Sequence, residues 1–279
     1  MSLRVVHIDD VPLVERPNIR GGTLLSRRLL TGEPGTPWNF ALQLSSTPTY
    51  YSPRHRHNFD QIRYQLSGDF DFSADGMMKP GTIAYFPEGT YYGPQQCESG
   101  SETLVLQFGG ASRSGYLCAE DHERASAELA SRGTFAKGVY TQIRPDGSKL
   151  NKDAYEAVWE HVNGRPLVYP GERYLRPVFM EPGSFNWVAV DGQPGVCAKS
   201  LGEFSELRTR LAVYRLAPGA SLSLADHSIY FVTSGSGCAG NQPFERYSTI
   251  DAPAGQRGSL TCGAGEPVEL LHIGLPRFS

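Results

Sequence analysis

Two stretches of the chain repeat the same short motifs in the same order, and this repeat limits the available folds more than any other feature. Three motifs of the first stretch return in the second at offsets of 167, 166 and 165 residues: Leu66-Ser67-Gly68 as Thr233-Ser234-Gly235, Phe86–Gly89 as Ala252–Gly255, and Leu106–Gly109 as Leu271–Gly274. Single-residue insertions or deletions are enough to align the copies. A repeat with such a long period indicates two copies of one folded unit.

Each copy has the pattern of short β-strands. Apolar and polar residues alternate over short segments, and turns that contain Gly or Pro separate these segments. The composition agrees, because 31 glycines and 20 prolines in 279 residues leave few long stretches that favour a helix. The predicted strands are Trp38–Leu44, Asp60–Leu66, Phe70–Phe72, Thr82–Phe86 and Thr103–Phe108 in the first copy, and Thr209–Leu216, Ile229–Thr233, Ser259–Cys262 and Val268–Ile273 in the second.

Two helices are predicted between the copies. The first spans Ala119–Arg132, where small or apolar residues recur at helical spacing. The second spans Asn151–Val162, with Asn151 as its predicted N-cap and Gly164 as its stop. A Pro-rich passage follows and leads into the second copy.

These elements predict an all-β protein with two antiparallel β-barrel units and a short helical connection. The N-terminal barrel is expected at 1–112, the helical and Pro-rich connector at 113–183, and the C-terminal barrel at 184–279.

Charge and composition exclude several classes of partner. Lys and Arg total 26 against 29 Asp and Glu, so the net charge of −3 gives no field that would attract nucleic acid or an anionic membrane. The N-terminal segment carries no apolar run typical of a secretory signal, and no stretch is long enough to span a bilayer. Five cysteines without a Cys-x-x-Cys pair favour free thiols, so we expect a cytoplasmic protein.

The first copy contains a His-x-His pair that is followed by Gly and Pro residues at defined spacings: His55, His57, Gly68, Gly81, Pro87 and Gly89. On a strand, the histidines at i and i+2 point to the same face. In these residues the chain resembles the cupin family, whose first motif contains His-x-His and a later Gly, and whose second contains Gly and Pro-x-Gly. The fainter echo in the second copy makes the chain similar to a bicupin, with two jelly-roll barrels.

The resemblance also implies a metal site, with departures. His55 and His57 would be ligands of a divalent ion, Fe, Mn, Zn or Ni, and Gln61 stands where the family has a Glu ligand. Tyr92 stands at the position of the family's third His and would be an auxiliary ligand or a general acid. Gln96 stands at the position of a family Asn. Arg63 shares a strand face with Gln61, so we expect it to clamp the substrate.

The second copy lacks this chemistry. Aligned without gaps, it has Leu222, Leu224 and Ser228 where the first copy has His55, His57 and Gln61. Its equivalent of Tyr92 is predicted to be Gly258. We therefore expect no metal site of the family's type there, and an apolar interior with a structural role.

Other aromatic and titratable residues leave alternatives open. His122, His161 or His227 could complete the site, although a surface or core position is the more common role of a histidine. A group of tyrosines either lines a pocket for a planar substrate or fills strands: Tyr50, Tyr51, Tyr64, Tyr85, Tyr91 and Tyr92. Arg54 and Arg56 alternate with the histidines, which predicts that they point outward.

Three functions fit these observations. The first is a metal-dependent enzyme on a small organic substrate, with dioxygenase, isomerase, lyase or cyclase chemistry as the family resemblance implies. The second is a metal-free enzyme that uses an imidazole and Tyr92 for acid–base chemistry. The third is a non-catalytic binding protein, against which the His-x-His pair argues. A homodimer through sheet edges is also expected.

Overall fold

The fold was analysed in a computed structural model, which describes residues 3–17, 19–20, 23–113 and 115–278. The chain forms two compact units. The N-terminal unit comprises Leu13–Phe179, and the C-terminal unit comprises the described residues of 1–12 and 180–279. Residues 3–12 belong to the C-terminal unit because the first strand, β1 (Arg4–His7), pairs with a strand formed by Ser248–Ala252.

The N-terminal unit is built from antiparallel strands. They are β2 (Val14–Pro17), β3 (Thr23–Thr31), β4 (Phe40–Thr47), β5 (Tyr50–Ser52), β6 (Asp60–Ser67), β7 (Phe70–Asp71), β8 (Met77–Met78), β9 (Ile83–Phe86), β10 (Gln95–Cys97), β11 (Ser101–Phe108), β12 (Thr134–Ala136), β13 (Val139–Ile143), β14 (Lys149–Asp153) and, at the unit boundary, β15 (Val178–Met180). One sheet has the order β15-β9-β6-β11-β4-β3-β2, a second has the order β5-β10-β7-β8, and a third joins β12, β13 and β14.

The C-terminal unit repeats the first two sheets. Its strands are β16 (Val188–Ala189), β17 (Val196–Phe204), β18 (Thr209–Leu216), β19 (Ser221–Ser223), β20 (Ser228–Ser234), β21 (Gly237–Ala239), β22 (Gln242–Phe244), β23 (Ser248–Ala252), β24 (Ser259–Cys262) and β25 (Val268–Gly274). The two orders are β1-β23-β20-β25-β18-β17-β16 and β19-β24-β21-β22. Short 3-10 helices lie at Ile8–Asp10, Ser73–Asp75 and Pro182–Ser184.

The predicted all-β, two-unit jelly-roll fold is confirmed. The sheet segment β9-β6-β11-β4 of the first unit has its equivalent in β23-β20-β25-β18 of the second. The registers agree as well: Gln61 lies opposite Gln107, and Ser228 lies opposite Gly274, so both pairs are related by an offset of 167 residues. The short motifs of the sequence therefore mark equivalent strands.

The two helices belong to the N-terminal unit. α1 (Ala119–Ala130) and α2 (Ala154–Asn163) bury an apolar cluster against that unit, which includes Phe59, Leu129 and Trp159. In the described ranges, neither helix has the length and hydropathy that crossing a membrane requires.

The predicted N-cap of the second helix is wrong. Asn151 lies in β14, and Asp153 caps α2 by accepting hydrogen bonds from the backbone N–H groups of Tyr155 and Glu156, at 2.9 and 3.1 Å. Both residue types are good caps, and Asp153 is the cap because the strand continues to this residue and the helix begins directly after it. The predicted stop is confirmed, because Gly164 follows the helix in the left-handed conformation with φ of 62°.

The interior of the C-terminal unit is not wholly apolar, which corrects the expectation from the sequence. A large apolar cluster includes Leu222 and Leu260. Beside it, the buried Ser228 hydroxyl lies 3.0 Å from Nε2 of the buried His272, whose ring is close to that of Tyr230 with 4.9 Å between centroids. Burial is the main cause that lowers the pKa of His272 to about 4.

This histidine predicts an acid-sensitive C-terminal unit. An unfolded chain binds the proton near the ordinary pKa of 6.5, and the folded chain binds it only near 4, so unfolding becomes easier as the pH falls through this window. We expect a loss of about 3 kcal/mol between pH 7 and pH 4. The measurement is urea unfolding at several pH values, with His272→Gln as the comparison.

In His272→Gln, the fall in the free energy of unfolding that protonation of His272 causes between pH 7 and pH 4 should disappear. At pH 7 and at pH 8, where His272 is neutral in the folded chain, the difference in unfolding free energy between variant and wild type should be the same. An unchanged slope between pH 7 and pH 4 in the variant would contradict the prediction.

Candidate functional site

The five residues predicted for the site lie together between the two main sheets of the N-terminal unit. His55, His57, Gln61 and Tyr92 are buried, and Arg63 is half-buried. The ring centroids of His55 and His57 are 5.0 Å apart, and those of His55 and Tyr92 are 4.6 Å apart. Gln61 and Arg63 extend from β6 on the same face, as their alternation predicts.

The His-x-His segment is held in place without being part of a regular strand. His55 and Tyr92 form an isolated antiparallel bridge, in which each backbone N–H donates to the other residue's carbonyl, at 3.1 and 2.9 Å. The Nδ1 atom of His55 lies 2.6 Å from the carbonyl oxygen of Pro53. Because a carbonyl only accepts, Nδ1 of His55 carries the proton, and Nε2 of the neutral ring is the basic nitrogen.

The second motif is fixed to the first by further backbone bonds. The Gly89 N–H donates to the carbonyl of His57 at 2.8 Å, and the Glu88 N–H donates to the Asp60 carboxylate at 2.8 Å. Gly89 has φ of 79°, and a Cβ at this position would lie 2.4 Å from the Pro170 carbonyl oxygen. Glycine is therefore needed both for the backbone conformation and for the close approach of the Pro-rich segment.

Three polar side chains form a connected network in the site. Oε1 of Gln61 accepts from Nη2 and Nε of Arg63, at 2.9 and 3.3 Å, and Nε2 of Gln61 donates to the Tyr92 hydroxyl at 2.9 Å. An arginine can only donate, so the Gln61 oxygen must face Arg63 and its amide nitrogen must face Tyr92. The Tyr92 oxygen thus accepts from Gln61, which leaves the Tyr92 proton to be donated elsewhere.

Arg63 is the fixed cation of the site. Its Nη1 donates to Oε1 of Gln95 at 2.8 Å, and Gln95 lies in β10, so this bond joins the two sheets. Its guanidinium carbon lies 4.6 Å from the ring centroid of Phe86 and 5.3 Å from that of Phe72. Within the described part of the chain Arg63 makes no ion pair, so neutral amides and aromatic rings alone hold its charge.

Both imidazoles are held neutral. Burial is the largest cause that lowers the pKa of His55 and of His57 well below the usual value, and the charges of Arg20 and Arg63 lower both further. His57 is stacked on Phe59, with 4.4 Å between ring centroids, and its Nδ1 is buried without a hydrogen-bond partner among the described residues. Burial also raises the pKa of Tyr92, so its hydroxyl keeps the proton.

Two residues of the site were missed by sequence reasoning, Arg20 and Gln95. Arg20 is 6% exposed and pairs with the Asp153 carboxylate at 3.0 Å, so the residue that caps α2 also orients this second guanidinium. Arg20 precedes the first predicted strand, and no local pattern connects it with the His pair. Gln95 lies beyond the Pro-x-Gly motif, and its only sequence signal is that proximity.

The remaining candidates lie outside this group. Arg54 is exposed and pairs with Asp75, and Arg56 stacks between the rings of Tyr91 and Tyr169, so both arginines point away from the imidazoles. Gln96 is exposed and donates to Asp71.

The predicted tyrosine group is divided. Tyr92 lies in the site, whereas Tyr85 lies on the other face of the sheet, where its hydroxyl donates to Asp60 at 2.9 Å. Burial raises the pKa of this Asp60 carboxyl to about 7. Tyr51 and Tyr91 are exposed.

The additional histidines have separate surroundings. His161 lies 2.6 Å from the carboxylate of Glu128 on the helices, and His227 lies in the C-terminal unit. His122 in α1 is close enough to the His55–His57 pair to contribute to the lowered pKa of His57, although this contribution is the smallest of those that lower it.

The equivalent position of Tyr92 in the second copy is Leu260, which corrects the alignment to Gly258. His55 lies opposite Tyr92, and its equivalent Leu222 lies opposite Leu260. Gly258 instead accepts a backbone hydrogen bond from Leu224. Two more residues between the Pro-x-Gly motif and this bridge position account for the shift.

The donor set does not fit a divalent metal ion. Two imidazoles are suitable ligands, but the Gln61 oxygen already accepts from Arg63, and Tyr92 keeps its proton. In the described ranges no group of three or more His, Cys, Asp or Glu side chains could hold a metal. A dication here would have no carboxylate to balance it and would lie beside the Arg63 guanidinium.

No model of a protein family matches this sequence, and no curated protein matches it. Solved structures do. A proposed dioxygenase from Nostoc punctiforme has a TM-score of 0.63 at 9% identity, with 100% of this chain and 85% of that chain covered. A proposed glyoxylate-induced protein from Pseudomonas aeruginosa has a TM-score of 0.57 at 10% identity, with 100% and 91% covered. A mutant of oxalate decarboxylase from Bacillus subtilis has a TM-score of 0.52 at 13% identity, with 100% and 79% covered.

These structures are cupin-fold proteins, and at these identities the likeness shows the fold alone. The chain is therefore similar in fold to these proteins over its full length. Its chemistry has to be argued from its own side chains.

The double role of Asp153 predicts graded losses of stability. Asp153→Asn keeps an oxygen for the cap but loses the ion pair with the buried Arg20. Because Asp153 is partly exposed, we expect a cost of about 2 kcal/mol, as for a hydrogen bond between charged groups. Asp153→Ala also loses the cap, which adds about 1 kcal/mol. Urea unfolding at neutral pH measures both.

The control is Asn151→Ala at the cap position that the sequence suggested. Asn151 is exposed in β14, so its replacement should change stability by less than about 0.5 kcal/mol. Equal costs for Asp153→Asn and Asp153→Ala would contradict the capping role.

Proposed function

We propose that the protein is a cupin-fold enzyme that binds a small organic carboxylate in its N-terminal unit and acts on it by acid–base chemistry. The observation that carries this proposal is the Arg63 guanidinium, which is fixed by Gln61 and Gln95 and is balanced by no carboxylate within the described residues. A carboxylate is the group that pairs with arginine in the strongest geometry. Fold likeness to a proposed dioxygenase and to oxalate decarboxylase agrees with an enzyme.

The neighbouring groups supply a base and an acid. Nε2 of His55 is unprotonated and takes a proton from the carbon next to the bound carboxylate. The bound anion offsets the positive charge of Arg63, which otherwise disfavours a protonated imidazole. The Tyr92 hydroxyl, oriented by Gln61, donates to the oxygen on which negative charge develops. This is chemistry of the isomerase or lyase type.

The other hypotheses from the sequence have less support. The metal-dependent reaction lacks an anionic ligand, because Gln61 is engaged by Arg63. A non-catalytic binding protein would not need a basic imidazole and a proton-donating phenol beside the bound anion. The homodimer and the cytoplasmic location remain predictions of the sequence.

Carboxylate binding tests the anion site. We expect titration calorimetry with acetate, lactate, pyruvate and glyoxylate to detect binding of at least one of them to the wild-type protein. Arg63→Gln should weaken that binding by at least tenfold, because a charge-assisted hydrogen bond contributes about 1.5–3 kcal/mol.

The matched control is Arg54→Gln, which removes an exposed arginine that pairs with Asp75 outside the site. Its affinity should equal that of the wild type. If Arg63→Gln and Arg54→Gln bind the anion equally, or if none of the four anions binds, the proposed anion site is wrong.

Proton exchange tests the acid–base step. In heavy water, the wild-type protein should exchange for deuterium the proton on the carbon next to the carboxylate of a bound ligand. Proton NMR measures the rate of this exchange. Tyr92→Phe keeps the ring but removes the hydroxyl, and should slow the exchange by about 100-fold or more. His55→Gln should slow it at least as much.

Tyr85→Phe is the matched control, because Tyr85 is equally buried but faces Asp60 on the other side of the sheet. It should leave the exchange rate within about twofold of the wild type. Binding without exchange in the wild type would favour the non-catalytic hypothesis instead.

A further inference from the structure

Gln61 occupies the position that decides which cation this site holds. Two imidazoles and one carboxylate on one face are a common arrangement for a divalent transition metal. Here the imidazoles of His55 and His57 are in place, but the third group is a neutral amide. Its oxygen accepts two hydrogen bonds from Arg63, and its nitrogen donates to Tyr92.

We propose that the Arg63 guanidinium is the resident cation of this site in place of a metal ion, and that the amide of Gln61 makes this exchange possible. The inference goes beyond the proposed reaction and does not depend on it, because it concerns only which cation these side chains hold. It rests on the hydrogen bonds of Gln61 and on the surroundings of Arg63.

The first step of the argument concerns the shared oxygen. A metal ion bound by Oε1 of Gln61 would displace the two N–H groups of Arg63 that this oxygen accepts, at 2.9 and 3.3 Å. If Arg63 stayed, a dication and a guanidinium would face each other across one neutral oxygen atom. Neither a carboxylate of the site nor an ion pair of Arg63 in the described ranges offsets that repulsion.

The second step is that the guanidinium is built into the interior. It donates to Gln95 across the two sheets at 2.8 Å, and it lies 4.6, 5.3 and 5.7 Å from the ring centroids of Phe86, Phe72 and Tyr92. Aromatic faces attract a cation most strongly when water is excluded. These contacts hold the guanidinium between the two sheets.

The third step compares the two copies. By register, Ser228 is the equivalent of Gln61, and Tyr230 is the equivalent of Arg63. The C-terminal unit has neither the amide nor the guanidinium at these positions. The two side chains are thus present together in one copy and absent together from the other, as expected if they act as one unit.

The experiment counts bound cobalt without any organic ligand. Protein freed of metal by a chelator is incubated with Co²⁺, separated from free ion by gel filtration, and analysed by elemental mass spectrometry. The wild type should retain far less than one cobalt per chain. The variant Gln61→Glu/Arg63→Gln supplies a carboxylate and removes the competing cation, so it should retain close to one, with the visible absorption of a nitrogen- and oxygen-ligated cobalt ion.

Two controls fix the location. Adding His57→Ala to that variant should abolish its cobalt retention, because an imidazole ligand is lost. Gln95→Glu/Arg63→Gln has the same composition and net charge, with the carboxylate at the other amide partner of Arg63. It should retain little cobalt, and retention equal to that of the Gln61 variant would overturn the assignment to residue 61.

A wild-type protein that retains one cobalt per chain and loses it on His57→Ala would also overturn the inference, and this comparison requires no new buried charge. So would a folded Gln61→Glu/Arg63→Gln variant, checked by circular dichroism, that binds no cobalt. Because carboxylate binding is measured separately, the proposed enzyme can fail while the cation assignment holds, and the reverse is equally possible.

Discussion

The chemistry of the site depends on the fact that an arginine donates hydrogen bonds and never accepts them. Arg63 therefore determines which end of the Gln61 amide faces it, and the amide in turn determines that Tyr92 accepts from Gln61. The proton of Tyr92 is left for another acceptor. A single half-buried cation thus sets the direction of every hydrogen bond in the network, and its charge also helps to keep His55 and His57 neutral.

The jelly-roll scaffold makes such a cation tolerable. A charge that is partly removed from water is costly unless its donors are satisfied. Arg63 is half-buried, and it is held by amides from both sheets and by aromatic rings. The backbone holds the imidazoles in reach of this network, through the bridge between His55 and Tyr92 and the bond from Gly89 to His57. The two motifs are separated in sequence, and these backbone hydrogen bonds join them.

Much of the fold and part of the site could be predicted from the sequence. The repeat identified equivalent strands, and alternation placed Gln61 and Arg63 on one face. Arg20 and Gln95 could not be predicted, because they reach the site through tertiary packing that leaves no local pattern. The cap at Asp153 was missed for a related reason: two adequate caps lie two residues apart, and only the position at which the strand ends and the helix begins distinguishes them.

The C-terminal unit shows how the same scaffold carries a different interior. Where the first copy has Gln61, Arg63 and the facing Val105, the second has Ser228, Tyr230 and the facing His272. Both sets include buried polar groups that bond to one another, but only the first contains a permanent charge. His272 is neutral at neutral pH, because burial lowers its pKa to about 4. The proposed anion site rests on the charge of Arg63, and the C-terminal unit has Tyr230 at the equivalent position. The proposed site therefore has no equivalent in the second copy.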